Sequence, residues 1–293
     1  MQRNQEKDAQ DLYDDRSSKY DDSHHPRLAR HMVELAKLKP GEHCLDLACG
    51  TGLVSFPAST AVGAKGSVVG LDVSTGMLRE ANKKLPKHDP QNVVFYEHSI
   101  TDLDSTESIT EQKFDVIICC SALVLLEDAA AALKHWVKFL KPGGRLITDV
   151  THPMNLAVGT AFERVGRRLE RPVPYHREPF QGPDDLASRM EAADLNQVKI
   201  TFLSIMDVAG SDKLEDYIVA DFSKPKIQKE YEIDDAGQKF EDTINNPAFK
   251  GLASPQDIRE QAKALFKEEW ARLAGADGKV GVVDGIFVGI GWK

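Results

Sequence analysis

The residues best able to do chemistry are an aspartate, two glycines and a second aspartate spaced along 46–72. An apolar run, 43–48, carries Asp46, and the chain then turns through Gly50 and Gly52 into a helix-like stretch. Glycines at such a turn remove Cβ atoms where a ligand must approach the backbone, and the start of the next helix offers unpaired N–H groups. A second apolar run, 67–71, leads into Asp72, 20 residues beyond Gly52. In a βαβ unit an acid at that ~20-residue step binds ribose hydroxyls. The pattern predicts a nucleotide-cofactor cradle.

Two cofactor classes compete for the cradle. A dinucleotide site requires G-x-G-x-x-G, with the third glycine packing helix against strand. Counted from Gly50, that third position is Ser55, and Asp46 stands just ahead of the turn. A carboxylate there repels a pyrophosphate and suits a ligand whose near end carries an ammonium. A nicotinamide oxidoreductase is therefore disfavoured. A tight βα turn with no ligand accounts for the glycines but leaves the spacing of Asp72 unexplained, unless Asp72 simply caps the helix after it.

Acid–base candidates are few. His24 and His25 lie ahead of the cradle, and His152 follows the apolar run 145–150. The ends of parallel strands face the ligand crevice, which favours His152; the competing reading is a loop residue hydrogen-bonded beside Pro153. Tyr175 and His176, in a proline-rich stretch, are weaker candidates. Cys44, Cys49, Cys119 and Cys120 show no CxxC spacing and fall in apolar runs, so they read as small core hydrophobes and no metal site is expected.

The elements that must position these groups alternate. Residues 1–22 are acid-rich and read as frayed. A helix with Ser23 near its N-cap and Pro26 in its first turn buries Leu28, Met32, Leu35 and Ala36. Strands follow at 43–48, 67–72, 92–96, 114–120 and 145–150, separated by helices. The helix after Gly52 contains Pro57, which is expected to kink or shorten it. Ser74 caps the helix that carries Met77, Leu78, Ala81 and Leu85, and a further helix spans 127–140. Helices are also expected at 184–194 and 255–273, and strands at 197–203 and 283–292. This alternation predicts a doubly wound, mostly parallel sheet.

Composition limits the partners. The 293 residues are 28% charged and 41% hydrophobic, with a formal net charge of −9. That balance disfavours an electrostatic grip on nucleic acid. The longest apolar run, 116–126, falls short of the ~18 residues of a membrane span. The polar start lacks an apolar signal core, and a cytoplasmic protein is the expectation.

Taken in order, Tyr20-Asp21, 45–52, Gly70-Leu71-Asp72-Val73-Ser74 with Met77-Leu78, Phe114-Asp115-Val116, and Leu140-Lys141-Pro142-Gly143-Gly144 resemble the class I S-adenosylmethionine-dependent methyltransferases. The resemblance covers about residues 13–153 and is closest to the ubiquinone/menaquinone-biosynthesis type and to small-molecule natural-product methyltransferases. It implies a seven-stranded Rossmann-like α/β sheet with an antiparallel C-terminal edge, and S-adenosylmethionine as cofactor with S-adenosylhomocysteine as product. By the same resemblance Asp46, Ala48, Cys49, Gly50, Thr51 and Gly52 surround the methionine and ribose portions, Asp72 takes the ribose hydroxyls, and Val73 and Met77 flank adenine. Cys120 and Ser121 lie against the methionine portion, and Tyr20 is a candidate lid. Ala48 stands where the family more often has glycine. The family's acid for the adenine amino group is replaced here by Ser99, followed by Ile100, and Asp102 could take its place only if the loop bends back; two histidines common beyond the fourth strand are replaced by Val124 and Leu125.

The resulting expectation divides the chain into an N-terminal lid (1–35), a cofactor core (36–153), a cap insertion (154–183), a core helix and strand (184–206), a second cap insertion (207–280) and a final core strand (281–293). Long insertions of this kind are lids or binding loops. Phe162, Tyr175, Phe180, Phe202, Tyr217, Phe222 and Phe240 are candidates for lining the acceptor pocket, with a satellite core as the competing role. The expected reaction is methyl transfer to a small organic acceptor, first to oxygen of a phenol or enol, next to nitrogen or sulfur. A protein that binds the cofactor but catalyses a non-methylating, pericyclic reaction is the alternative from a different class. Neither nucleic acid nor membrane is expected as a partner.

Overall fold

Near-continuous apolar strands, buried on both faces, make the centre of a parallel sheet. The computed structural model describes residues 5–105, 109, 113–171, 173, 180–204, 218–219, 227–246, 249–283 and 285–293. Strands β1 (His43–Leu47), β2 (Ser67–Asp72), β3 (Val93–Glu97), β4 (Phe114–Cys119) and β5 (Leu140–Thr151) pair in parallel in the order β3-β2-β1-β4-β5. Antiparallel to β5 runs the last strand of the chain (Gly285–Trp292), and against that strand lies β6 (Asn196–Ser204). These seven strands form the expected doubly wound sheet with its antiparallel edge. A two-residue strand, β7 (Ile218–Val219), adds an eighth member beside β6.

Helices cover both faces. On one, α2 (His25–Ala36) and α3 (Ser55–Val62) pack Leu28, Met32, Ala58 and Val62 against β1, β2 and β4. On the other, α5 (Ala129–Val137) buries Leu133 and Trp136, and α7 (Pro183–Glu191) buries Leu186 and Met190. Arg145, 8% exposed on β5, donates to both carboxylate oxygens of Glu42 at 2.9 and 2.8 Å and to the carbonyls of Ala36 and Lys37. This satisfies the carbonyl end of α2 where it meets the sheet.

Three local expectations are corrected. Residues 5–22 form helix α1 (Gln5–Arg16) and a 3-10 segment (Ser17–Asp22) rather than a frayed tail. Pro57 does not kink α3, because it stands in the first turn, where its missing N–H costs no helix bond. The terminal segment is two strands, β9 (Lys279–Val283) and β10 (Gly285–Trp292), rather than one.

The chain between β5 and β10 builds a second core. Helices α6 (Ala157–Arg168), α8 (Ala236–Ile244), α9 (Lys250–Ala253) and α10 (Gln256–Leu273) meet around Phe162, Phe240, Phe249, Phe266 and Trp270, beside the antiparallel pair of β8 (Ile227–Glu232) with β9. Phe162 stacks on Phe249 and Phe240 at centroid distances of 4.4 and 5.5 Å. Phe162 and Phe240 are therefore core of this layer and not pocket lining. Phe180 and Phe202 are buried in the sheet core instead. Tyr175, His176, Tyr217 and Phe222 lie outside the described residues. Among the described residues no helix is long and apolar enough to cross a membrane.

Candidate cofactor and active site

The turn after β1 is built from backbone that side chains resist. Ala48, Gly50 and Gly52 have φ of 56°, 55° and 84°, and Ser121, after β4, has 59°. Such left-handed φ values cost a residue with a Cβ about 1–2 kcal/mol, and they concentrate at functional sites. Glycine at position 48 would avoid this cost, which accounts for the commoner residue there. A Cβ on Gly52 would lie 2.5 Å from the Phe56 ring, so that position is closed to larger residues.

Buried carboxylates hold the loops together. Asp72 accepts from the Gly50 N–H at 2.7 Å and the Ser74 N–H at 2.8 Å, tying the glycine turn to the start of α4 (Thr75–Lys84). Burial pushes its carboxyl upward despite those two donors. Asp46, 1% exposed, accepts from Ser55 Oγ at 2.5 Å, and burial, with Asp72 nearby, lifts it to about 7. Asp149, deep in β5, accepts from the Ser121 N–H at 2.6 Å; burial lifts it to about 6. The loop after β3 is pinned by Trp136, whose Nε1 donates to the Ile100 carbonyl at 2.6 Å.

Where these loops converge, at the carboxyl ends of β1, β2 and β4, a cavity of about 560 Å³ opens, within the ~300–1,000 Å³ typical of small-molecule sites. Of the residues singled out from sequence, Tyr20, Ala48, Gly50, Asp72, Val73, Met77, Ile100, Cys120 and Ser121 line it. Asp46, Cys49 and His25 line a 30 Å³ recess that shares Tyr20, Ala48, Gly50, Cys120 and Ser121 with the main cavity.

The remaining candidates are placed elsewhere. The Thr51 hydroxyl donates to Asp21 at 2.5 Å, and Gly52 packs beneath Phe56 and Phe95. Ser99 stands one residue short of the lining and donates to Glu6. His24 is exposed and stacks on His25 at 4.2 Å. His152 lies outside both linings, against the expectation of a crevice position. Strand pairing continues past Thr151, with the His152 N–H donating to the Gly285 carbonyl, and the ring packs against Phe287 and Phe202 at 5.6 and 6.0 Å. Of the two positions matched to histidines, Leu125 lines the cavity and Val124 turns into the core.

Sequence reasoning proposed a lid over 1–35 but named only Tyr20 and the histidines in it. Glu6, Ala9, Gln10 and Tyr13, all on α1, line the cavity, as do Thr101, Leu126 and Glu127. The helix is docked by polar contacts: Asp14 accepts from Ser74 Oγ at 2.6 Å and the Gly76 N–H at 2.7 Å, and Gln10 Nε2 donates to the Val73 carbonyl at 2.8 Å. The 3-10 segment after it brings Tyr20 edge-on to Tyr13 and stacks it on His25 at 4.3 Å. Burial, with His24 and Arg16 nearby, holds the His25 imidazole neutral, down to about 3. Burial likewise raises the Tyr20 phenol well above its usual range.

A carboxylate-lined βα turn at the carboxyl edge of a doubly wound sheet with an antiparallel edge strand defines a Rossmann-like methyltransferase fold. Residues 38–166 match the family model described as a methyltransferase domain. Two curated relatives are an aklanonic acid methyltransferase from a Streptomyces species, 32% identical over 41% of this chain and 52% of that protein, and a demethylmenaquinone methyltransferase from Lactococcus lactis, 32% identical over 54% and 64%. The chain thus spans between half and two thirds of these relatives. A solved cyclopropane-fatty-acyl-phospholipid synthase-like protein from Lactobacillus casei shares the fold at a TM-score of 0.58, 18% identity and 91% coverage of both chains.

Proposed function

We propose that the protein transfers the methyl group of S-adenosylmethionine to an oxygen of a small, largely apolar acceptor, a phenol or an enol. The observation that carries this reading is the roofed cavity: carboxylates flank its cofactor side, Ala122, Leu125 and Leu126 form an apolar wall, and among the described residues no Lys, Arg or His lines it. A strongly anionic acceptor would find no countercharge there.

The residues fit the cofactor. Gly50, with its left-handed φ, meets nothing nearer than Tyr20 at 4.0 Å and leaves backbone open to a ligand. Asp72 accepts one backbone hydrogen bond on each carboxylate oxygen and keeps a lone pair on each for ribose hydroxyls. Asp46, beside the recess, would pair with the ammonium of the methionine portion. The cofactor would supply a methyl group on a sulfonium whose leaving group is a neutral thioether.

The chain's own contribution is alignment and exclusion of water, with reacting atoms held ~3–3.5 Å apart. The sulfonium favours oxygen over nitrogen: it stabilises a developing oxyanion and repels an ammonium. Tyr20 lines the cavity, and neutral His25 stands behind it in the recess rather than against the acceptor. Both relatives are named for small organic molecules, and the net charge of −9 opposes a nucleic-acid acceptor.

Incubation of cell extract with the protein and methyl-labelled cofactor tests the reading. Label is expected in the small-molecule fraction as an alkali-stable methyl ether. Label confined to the macromolecular precipitate refutes it. Tight S-adenosylhomocysteine binding with no labelled product in any fraction would assign the fold to a non-methylating role.

A further inference from the structure

The sheet order separates the two ends of the cavity. β3 lies on one side of β2 and β1, and β4 lies on the other. Ser121 and Cys120, after β4, are therefore at the end opposite Ile100 and Thr101, after β3. With ribose at Asp72, on β2, the base must extend toward β3, between Val73, Met77 and Ile100. Those side chains supply an apolar slot and nothing that accepts a hydrogen bond from the adenine 6-amino group. A carboxylate does reach this end, from a different part of the chain. Glu6, in the first turn of α1, lines the cavity, and the Ser99 hydroxyl donates to its carboxylate. Ser99 is itself held by the Thr101 hydroxyl at 2.8 Å and by the Thr101 N–H at 3.2 Å. A carboxylate in a helix's first turn is also stabilised by the helix dipole.

We infer that Glu6 reads the adenine amino group, and that Ser99 positions Glu6 rather than touching the base. Gln10 is the rival acceptor, but its Oε1 already accepts from Lys7 Nζ at 3.2 Å while its Nε2 donates to the Val73 carbonyl. This inference rests on the proposed cofactor.

The test is calorimetric binding of S-adenosylhomocysteine and of its 6-deamino analogue, in which the amino group is replaced by hydrogen. The wild-type protein is expected to prefer the amino compound by about thirtyfold, the worth of one hydrogen bond to a charged acceptor. Glu6→Ala is expected to bring the two ligands within about threefold of each other, while Glu6→Gln, which keeps an acceptor oxygen, retains an intermediate preference. Gln10→Ala is expected to leave the preference in place. A full preference in Glu6→Ala, or its loss in Gln10→Ala instead, overturns the assignment to Glu6. Failure of the wild-type protein to bind S-adenosylhomocysteine at all overturns the cofactor reading, and this inference with it.

Discussion

Asp46 gives the sharpest test of the proposed cofactor site. Its carboxyl is buried at the end of β1 with Ser55 as side-chain donor, and burial lifts it to about 7. A ligand ammonium pairs only with the ionised form, so binding draws the carboxyl back down and expels a proton. The apparent Kd for S-adenosylhomocysteine is then flat above about pH 8 and rises as pH falls. At pH 6 about ten molecules in eleven are protonated, so Kd is about elevenfold above its plateau; at pH 7 it is about twofold above. Calorimetry at pH 6.0, 7.0 and 8.5, at fixed ionic strength, reads this directly. Asp46→Asn should bind weakly and lose the slope. Folding responds in the opposite sense. With the folded value raised from 3.8 to about 7, the contribution of Asp46 to stability is lost as pH rises through that window. The Asn variant should therefore melt at or above the wild-type temperature at pH 8 while binding ligand worse. A wild-type Kd that does not change between pH 6 and 8.5, or a slope that survives in Asp46→Asn, would refute the reasoning.

Other outcomes follow from particular contacts. Asp72→Ala removes the carboxylate proposed for the ribose hydroxyls and frees the Gly50 and Ser74 N–H groups, so S-adenosylhomocysteine should bind at least about tenfold more weakly by calorimetry. Ala48→Gly relieves a φ of 56° and should raise the melting temperature or leave it unchanged, a gain of at most ~1 kcal/mol in denaturant unfolding. His152→Ala should leave cofactor affinity unchanged, because the ring touches Phe202 and Phe287 and lines neither cavity. Phe162→Ala opens the fully buried centre of the second core and should cost about 3–5 kcal/mol in urea unfolding, with cofactor binding preserved.

The cofactor half was legible because its signals are local. A strand, a two-glycine turn and an acid one βα unit later leave marks at fixed spacing, and the apolar runs of β1, β2 and β4 name the centre of the sheet. Helix α1 left no such mark. It docks through Glu6, Gln10 and Asp14 rather than an apolar stripe, so its acidic composition read as solvated chain. His152 misled for a different reason. The rule that strand ends face the crevice holds for β1, β2 and β4, but β5 continues into a ladder with β10 that turns the histidine toward two phenylalanines. The aromatic residues of the insertions could not be apportioned between core and pocket by composition, since both bury them equally well. Only the meeting of α6, α8 and α10 places Phe162 and Phe240 in a core.

The roof helix has a consequence for the order of events in the life of the chain. Its contacts to the sheet side join residues separated by 60, 62, 63 and 93 positions, so the first described element to leave the ribosome has nothing to rest on until β2, β3 and α4 exist. It is made early and placed late. A segment held by a few polar contacts at one edge opens at far lower cost than the sheet beneath it. Whatever fills the space below would then add to the free energy that holds this helix in place.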